Sequence, residues 1–118
     1  MAIEKVIVGK DIVWHQGMNV ADLLRELDDH RSLLGIVING VYKSRSHFNE
    51  IKIPDHAEVQ LIPWREGMTV SELLKYEIDE DYFSAAIINN RLVPEDQFYK
   101  TAIPENASVW LLTPVGGG

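Results

Sequence analysis

Gly67-Met68-Thr69-Val70-Ser71-Glu72-Leu73-Leu74 is the stretch on which the reading of this chain turns. Thr69-Val70-Ser71-Glu72 is a capping box, in which the Thr69 hydroxyl and the Glu72 carboxylate each satisfy a backbone donor that the first turn of a helix leaves unpaired. Val70, Leu73, Leu74 and Ile78 then supply the buried stripe of a short amphipathic helix. The pattern also stands fifty residues earlier, as Gly17-Met18-x-Val20-x-x-Leu23-Leu24. There Asn19 is the N-cap, and Val20, Leu23, Leu24 and Leu27 fall at i, i+3, i+4 and i+7.

Outward from these two helix starts the correspondence continues without a gap, pairing residues 17 to 63 with residues 67 to 113. Ile38-Asn39 returns as Ile88-Asn89 and Phe48 as Phe98. Ile53-Pro54-x-x-Ala57-x-Val59-x-Leu61 returns as Ile103-Pro104-x-x-Ala107-x-Val109-x-Leu111. Matched spacing of core, turn and cap positions over a whole unit predicts an internal duplication, with residues 1–63 and 64–118 as two copies of one small fold. In the first copy, residues 3 to 8 and Ile12-Val13-Trp14 read as a hairpin around Gly9-Lys10-Asp11. Asp28-Asp29-His30-Arg31 ends the helix. Gly35-Ile36-Val37-Ile38, the Asn39-Gly40 turn and Val41-Tyr42 read as a second hairpin, and Glu58 to Ile62 alternate as a last strand. The expected order is ββαβ(β)β.

The second copy differs at its start. The segment aligned with the first strand, Ile53 to Glu58, already serves the first copy, so copy two has no complete first strand. Either the strand at residues 58 to 65 serves both copies in one continuous sheet, or the strand comes from elsewhere, including another chain. Only Pro63-Trp64-Arg65-Glu66 separates the copies, which predicts a rigid junction. Within copy two, Pro94 followed by Glu95-Asp96-Gln97 reads as a helical turn anchored by Phe98.

Composition narrows the function. The 118 residues are 46% apolar and 25% charged, the profile of a globular protein, and no apolar run approaches a membrane span. With no long uncharged segment near Met1, the expected location is cytoplasmic. There is no cysteine, which excludes disulfides and thiolate chemistry on this chain. The net charge of −7 is skewed: residues 1 to 66 hold eight Lys/Arg against ten Asp/Glu, and residues 67 to 118 three against eight. This argues against nucleic-acid and anionic-membrane partners and for a partner with a basic surface. His15, His30, His47 and His56 form no metal-ligand spacing and read as solvated surface residues. Asp28-Asp29 and Asp79-Glu80-Asp81 lack the other ligands of a calcium loop. Trp14 and Trp64, at equivalent positions, read as packing residues. No nucleophile–base grouping or phosphate loop is present, so the chain reads as something other than an enzyme.

The chain ends in Pro114-Val115-Gly116-Gly117-Gly118, directly after the strand-like Ser108-Val109-Trp110-Leu111-Leu112. A triple glycine has no side chain to pack and is a flexible thread. It is either incidental or shaped to enter a narrow tunnel on a partner. Copy one has no such tail.

Taken together, Gly67 to Leu74, Asn89 to Val93-Pro94, Phe98, Ile103 to Leu111 and the terminal glycines resemble the ThiS/MoaD-like sulfur carriers of the ubiquitin-like β-grasp superfamily. The resemblance covers copy two almost end to end and copy one more weakly. Pro114-Val115 is closer to the molybdopterin-synthase small subunit, and the Asn89/Val93-Pro94 segment to the thiamin carrier. Glu105-Asn106-Ala107 and Asp55-His56-Ala57 stand where the family often has Asp-Gly-Asp.

The resemblance implies an α+β fold of two fused β-grasp repeats, each with a mixed sheet packed on one helix. It implies that an E1-like (ThiF/MoeB-like) enzyme adenylates the Gly118 carboxylate with ATP, that sulfur displaces AMP to leave a thiocarboxylate, and that a synthase accepts the sulfur. Gly116 and Gly117 would give clearance for threading. The chain itself would bind no cofactor, ATP being used by the partner. Partner contacts would involve Pro114, Val115, Leu92, Trp110 and Leu112, although alternation along the last strand leaves open which of its faces is exposed. The other reading is a non-catalytic β-grasp ligand-binding or scaffold module with an incidental tail.

Overall fold

The computed structural model describes residues 4–76, 78–79 and 82–114. In order, these form β1 (Glu4–Ile7), α1 (Val20–Glu26), β2 (Leu33–Ile38), β3 (Val41–Ser44) and a 3₁₀ turn (Arg45–His47), then β4 (Glu58–Pro63) and α2 (Val70–Leu73). β5 (Ala85–Ile88), β6 (Arg91–Pro94), a second 3₁₀ turn (Glu95–Gln97) and β7 (Val109–Leu112) complete them. The strands lie in two sheets, β1-β4-β2-β3 and β6-β5-β7. No helix among the described residues is long and apolar enough to cross a membrane.

Both helix starts are built as their sequences require. The Asn19 side chain accepts from the Asp22 amide at 2.8 Å and the Asp22 carboxylate accepts from the Asn19 amide at 3.1 Å; Thr69 and Glu72 make the same reciprocal pair. α2 is shorter than its apolar stripe. After Leu74 the Lys75 and Tyr76 amides bond three residues back, to Glu72 and Leu73, which tightens and ends the helix. Ile78 lies beyond it and still packs on the core. At the hairpins, Asn39-Gly40 and Asn89-Asn90 all have positive φ, the two-residue turn that matches strand twist.

Three expectations change. Residues 12–14 do not pair back on the first strand. β1 pairs with β4, Val6 opposite Val59, and only an isolated bridge joins Val8 to Ile12. The ladder with β4 carries Val6 and Val8 into the core, whereas the return segment leaves Val13 84% exposed and turns the Trp14 indole away to the Ile53 carbonyl. No mixed sheet forms either: every strand pair among the described residues is antiparallel. β1 and β2 are both antiparallel to β4 and therefore run the same way, with β4 between them and α1 as the crossover. Finally, β4 does not join the halves into one sheet, because its two edges are taken by β1 and β2.

The packing explains how the second half manages with three strands. One face of the first sheet, through Ile36, Ile38, Val59 and Leu61, packs with Val20 and Leu23 of α1. The opposite face sends Leu34, Val37 and Ile62 into the core formed by α2 and the second sheet, against Met68, Leu73, Ala86 and Val109. β2 is consequently buried at all six positions, as a strand covered on both faces must be. Gly35 permits the close approach of Tyr42: a Cβ there would lie 2.6 Å from the Lys43 carbonyl oxygen and 2.9 Å from the Tyr42 ring.

Several contacts recur fifty residues apart. The Trp14 and Trp64 indoles donate to the Ile53 and Ile103 carbonyls at 2.7 and 2.6 Å. The Asn39 and Asn89 side chains accept from the Glu58 and Ser108 amides, both at 2.9 Å. His56 and Asn106, also fifty residues apart, take left-handed φ of 66° and 63°.

Two outcomes follow from this arrangement. Ile62→Ala opens a cavity in the core shared by both halves and lowers unfolding stability by about 2–5 kcal/mol, read as a drop in the urea midpoint. Residues 64–118 expressed alone, deprived of the covering face, give a spectrum without native amide dispersion; a folded spectrum contradicts the shared core. A third outcome concerns acid. The Asn19 amide, with Arg25 assisting, holds the Asp22 carboxyl below its usual range, and the Arg31 guanidinium does the same for Asp29. A group depressed in the folded state contributes stability that is full above its unfolded value of about 3.9 and is lost as pH falls through the folded value. The urea midpoint therefore declines below about pH 4, and Asp29→Asn flattens that decline.

Candidate functional site

The tail residues Val115, Gly116, Gly117 and Gly118 lie outside the described residues; the last described residue, Pro114, is exposed. The strand that delivers the tail is β7, the edge of the second sheet, and pairing with β5 settles its faces. Val109 is fully buried and Leu111 packs against the core, while Trp110 and Leu112 point outward, 44% and 37% exposed. Leu92 is on the same outer face and is 63% exposed.

These side chains form rows across the sheet. Ile87 pairs with Leu92 on one side and Trp110 on the other, and Ala85 pairs with Pro94 and Leu112. Leu92, Ile87, Trp110, Ala85 and Leu112 thus make one continuous apolar surface beside the point where the tail departs. Ile87, Ala85 and Pro94 were not among the partner contacts expected from sequence. Their signal was the alternation of Ala85-Ala86-Ile87-Ile88, which names two faces without saying which is open. Next to this surface the rim is polar, and the Tyr82 hydroxyl donates to the Glu95 carboxylate, a bond that raises the phenol pKa.

The first half braces β7 from behind. The Tyr42 hydroxyl donates to the Val109 carbonyl at 2.9 Å, and burial drives its pKa well above the ordinary phenol value. Ser46 and Ser108 hydroxyls meet at 3.3 Å, and Arg45 donates to the Asn106 carbonyl at 3.1 Å. His47 sets its ring edge-on to Trp110, with centroids 4.6 Å apart and planes at 77°, while its Nδ1 lies 3.0 Å from the Glu50 carboxylate. His15, His30 and His56 are exposed as expected, but His47 is a half-buried packing residue that fixes the orientation of Trp110. No sequence signal marks this contact, which joins residues of the two halves.

Among the described residues no group of three or more His, Asp or Glu could hold a metal ion. What the site offers is an apolar surface, a braced tryptophan and an exposed strand end, an arrangement suited to docking a protein.

Comparison with known proteins agrees with this geometry. No curated protein and no solved structure shows significant similarity to the chain. A family model does match: that of the ThiS family, over residues 62–118. The match begins at the end of β4, takes in α2, the second sheet and the outer face, and runs through the glycine tail. Over residues 62–118, then, the chain is similar to the ThiS family.

Proposed function

We propose that this protein carries sulfur on the carboxylate of Gly118. The observation that carries the reading is the reach of the ThiS family match, which extends through Gly116, Gly117 and Gly118 and includes the residues of the exposed face. An E1-like adenylating enzyme binds the outer face of the second sheet through Leu92, Trp110 and Leu112, with Pro114 and Val115 leading the tail into its active site. The Gly118 carboxylate attacks the α-phosphorus of ATP and releases pyrophosphate. This gives an acyl-adenylate. A sulfur nucleophile at the oxidation level of sulfide then attacks the acyl carbon and AMP leaves, so the product is a thiocarboxylate. A synthase takes that sulfur into a cofactor of the thiamin or molybdopterin/tungstopterin type.

Adenylation is required because the bare carboxylate has no leaving group. Glycines are required because any Cβ would widen the thread. Rigid delivery of the strand places the carboxylate near its attack geometry, where orientation makes its largest contribution to rate. ATP belongs to the partner's site, and the catalytic groups with it, so the chain acts as a co-substrate. The recurring contacts fifty residues apart, among them the two indole–carbonyl bonds and the two asparagine turns, support reading it as two fused β-grasp repeats. In that reading residues 64–118 are the carrier and residues 1–63 a companion that completes its core. The net charge of −7 fits a basic protein partner, and the work is placed in the cytoplasm.

Removing Gly117 and Gly118 abolishes ATP–pyrophosphate exchange by the cognate adenylating enzyme while the urea midpoint is unchanged. Trp110→Ala, with the tail intact, raises the KM for this chain by about tenfold or more, as loss of an aromatic anchor worth at least 1–2 kcal/mol does. Full exchange on the chain lacking the two glycines contradicts the assignment.

A further inference from the structure

β7 differs from β4 in what lies on its outer edge. In β4 the Glu58 carbonyl accepts from Asn39 on the β2 side, so the backbone groups of Val59 and Leu61 face the other way, toward β1, where the Val8 amide also reaches the Ala57 carbonyl. β7 has the same alternation. The Ser108 carbonyl accepts from Asn89 on the β5 side, which turns the backbone groups of Val109 and Leu111 outward. No strand pairs with that edge among the described residues. Its one described partner there is the Tyr42 hydroxyl, on the Val109 carbonyl.

Beyond the edge lies a seam that the Tyr42 side chain of β3 crosses; no ladder joins β3 to β7 among the described residues, and two cavities flank Tyr42. One, of about 420 Å³, is bordered by Ser44, His47, Ile51, Trp110 and Leu111. The other, of about 220 Å³, is bordered by Val41, Ile78, Phe83 and Leu111. Leu111 and Tyr42 border both.

We propose that the outer edge of β7 is a strand acceptor, which takes an extended segment of the adenylating partner in the position that β1 takes on β4. A strand is the occupant because the unpaired groups are main-chain donors and acceptors in alternating register, and because the matching edge fifty residues earlier is covered by a strand. A partner chain is favoured because the seam opens beside Trp110 and is continuous with the apolar face proposed above for docking. The chain's own β1 is committed, with Val6 and Val8 buried against β4. The partner's identity rests on the sulfur-carrier reading; the acceptor edge does not.

The probe is a synthetic peptide with the sequence of β1 and the residues after it, Glu4-Lys5-Val6-Ile7-Val8-Gly9, added to the isotopically labelled full chain. Amide resonances of Val109 and Leu111 shift and gain protection from exchange. The same peptide N-methylated at Val6, whose N–H faces the strand it pairs with, has no effect. Tyr42→Phe releases the Val109 carbonyl and tightens the peptide about two- to tenfold, the worth of one hydrogen bond. Removing Gly117 and Gly118 leaves peptide binding unchanged, which separates this test from that of the carrier. The proposal is overturned if β7 stays unperturbed, if the changes fall on β4 through exchange with the chain's own β1, or if a concentration-dependent dimer already protects the β7 edge without peptide.

Discussion

The constraint on which this molecule depends is that its second half has a core but too few elements to close it. A three-stranded sheet and a four-residue helix leave one side of Met68, Leu73 and Val109 uncovered. Leu34, Val37 and Ile62, from the back of the first sheet, supply the cover. This contact accounts for the burial of β2 on both faces. It also accounts for the hydrogen bonds that tie Tyr42, Arg45 and Ser46 to the start of β7. Hydrophobic burial supplies most of the free energy, and the polar ties set which way β7 lies on it.

That arrangement bears directly on the site. β7 is the strand from which the glycine tail departs, and it is held on one side by β5 and on the other by side chains of the first half. Trp110 is turned outward by strand alternation and steadied by His47. The apolar surface through Leu92, Ile87 and Trp110 is therefore presented on a support braced from both sides, which in the proposed docking lowers the cost of ordering side chains. Residues 1–63 thus supply the wall against which the part of the chain that matches the ThiS family packs.

Much of this was legible in the sequence because it is local. The N-cap at Asn19, the capping box at Thr69, the Asn39-Gly40 turn, the turn anchored by Phe98 and the apolar stripe at Val70 and Leu73 each rest on residues a few positions apart. What was not legible depends on distant partners. Whether residues 4 to 7 pair with Ile12 or with Val59 is decided by which ladder buries more, and no short-range pattern records that choice. The period of two along Ser108 to Leu112 separates Trp110 from Val109, but only the position of α2 and the first sheet makes the tryptophan face the open one. His47 and Tyr42 gained their roles through contacts across more than sixty residues, where an isolated histidine or tyrosine in sequence carries no mark of its neighbour.

The central claim is that chemistry occurs on the terminal carboxylate and nowhere else on the chain. Intact-mass measurement of the protein purified from its native host, followed by fragmentation, tests it most directly. The account predicts a species heavier by the replacement of one oxygen by sulfur, with the added mass confined to the fragment containing Gly118. A chain that carries only its carboxylate in cells whose adenylating enzyme and sulfur source are active, or that carries sulfur elsewhere, would contradict it.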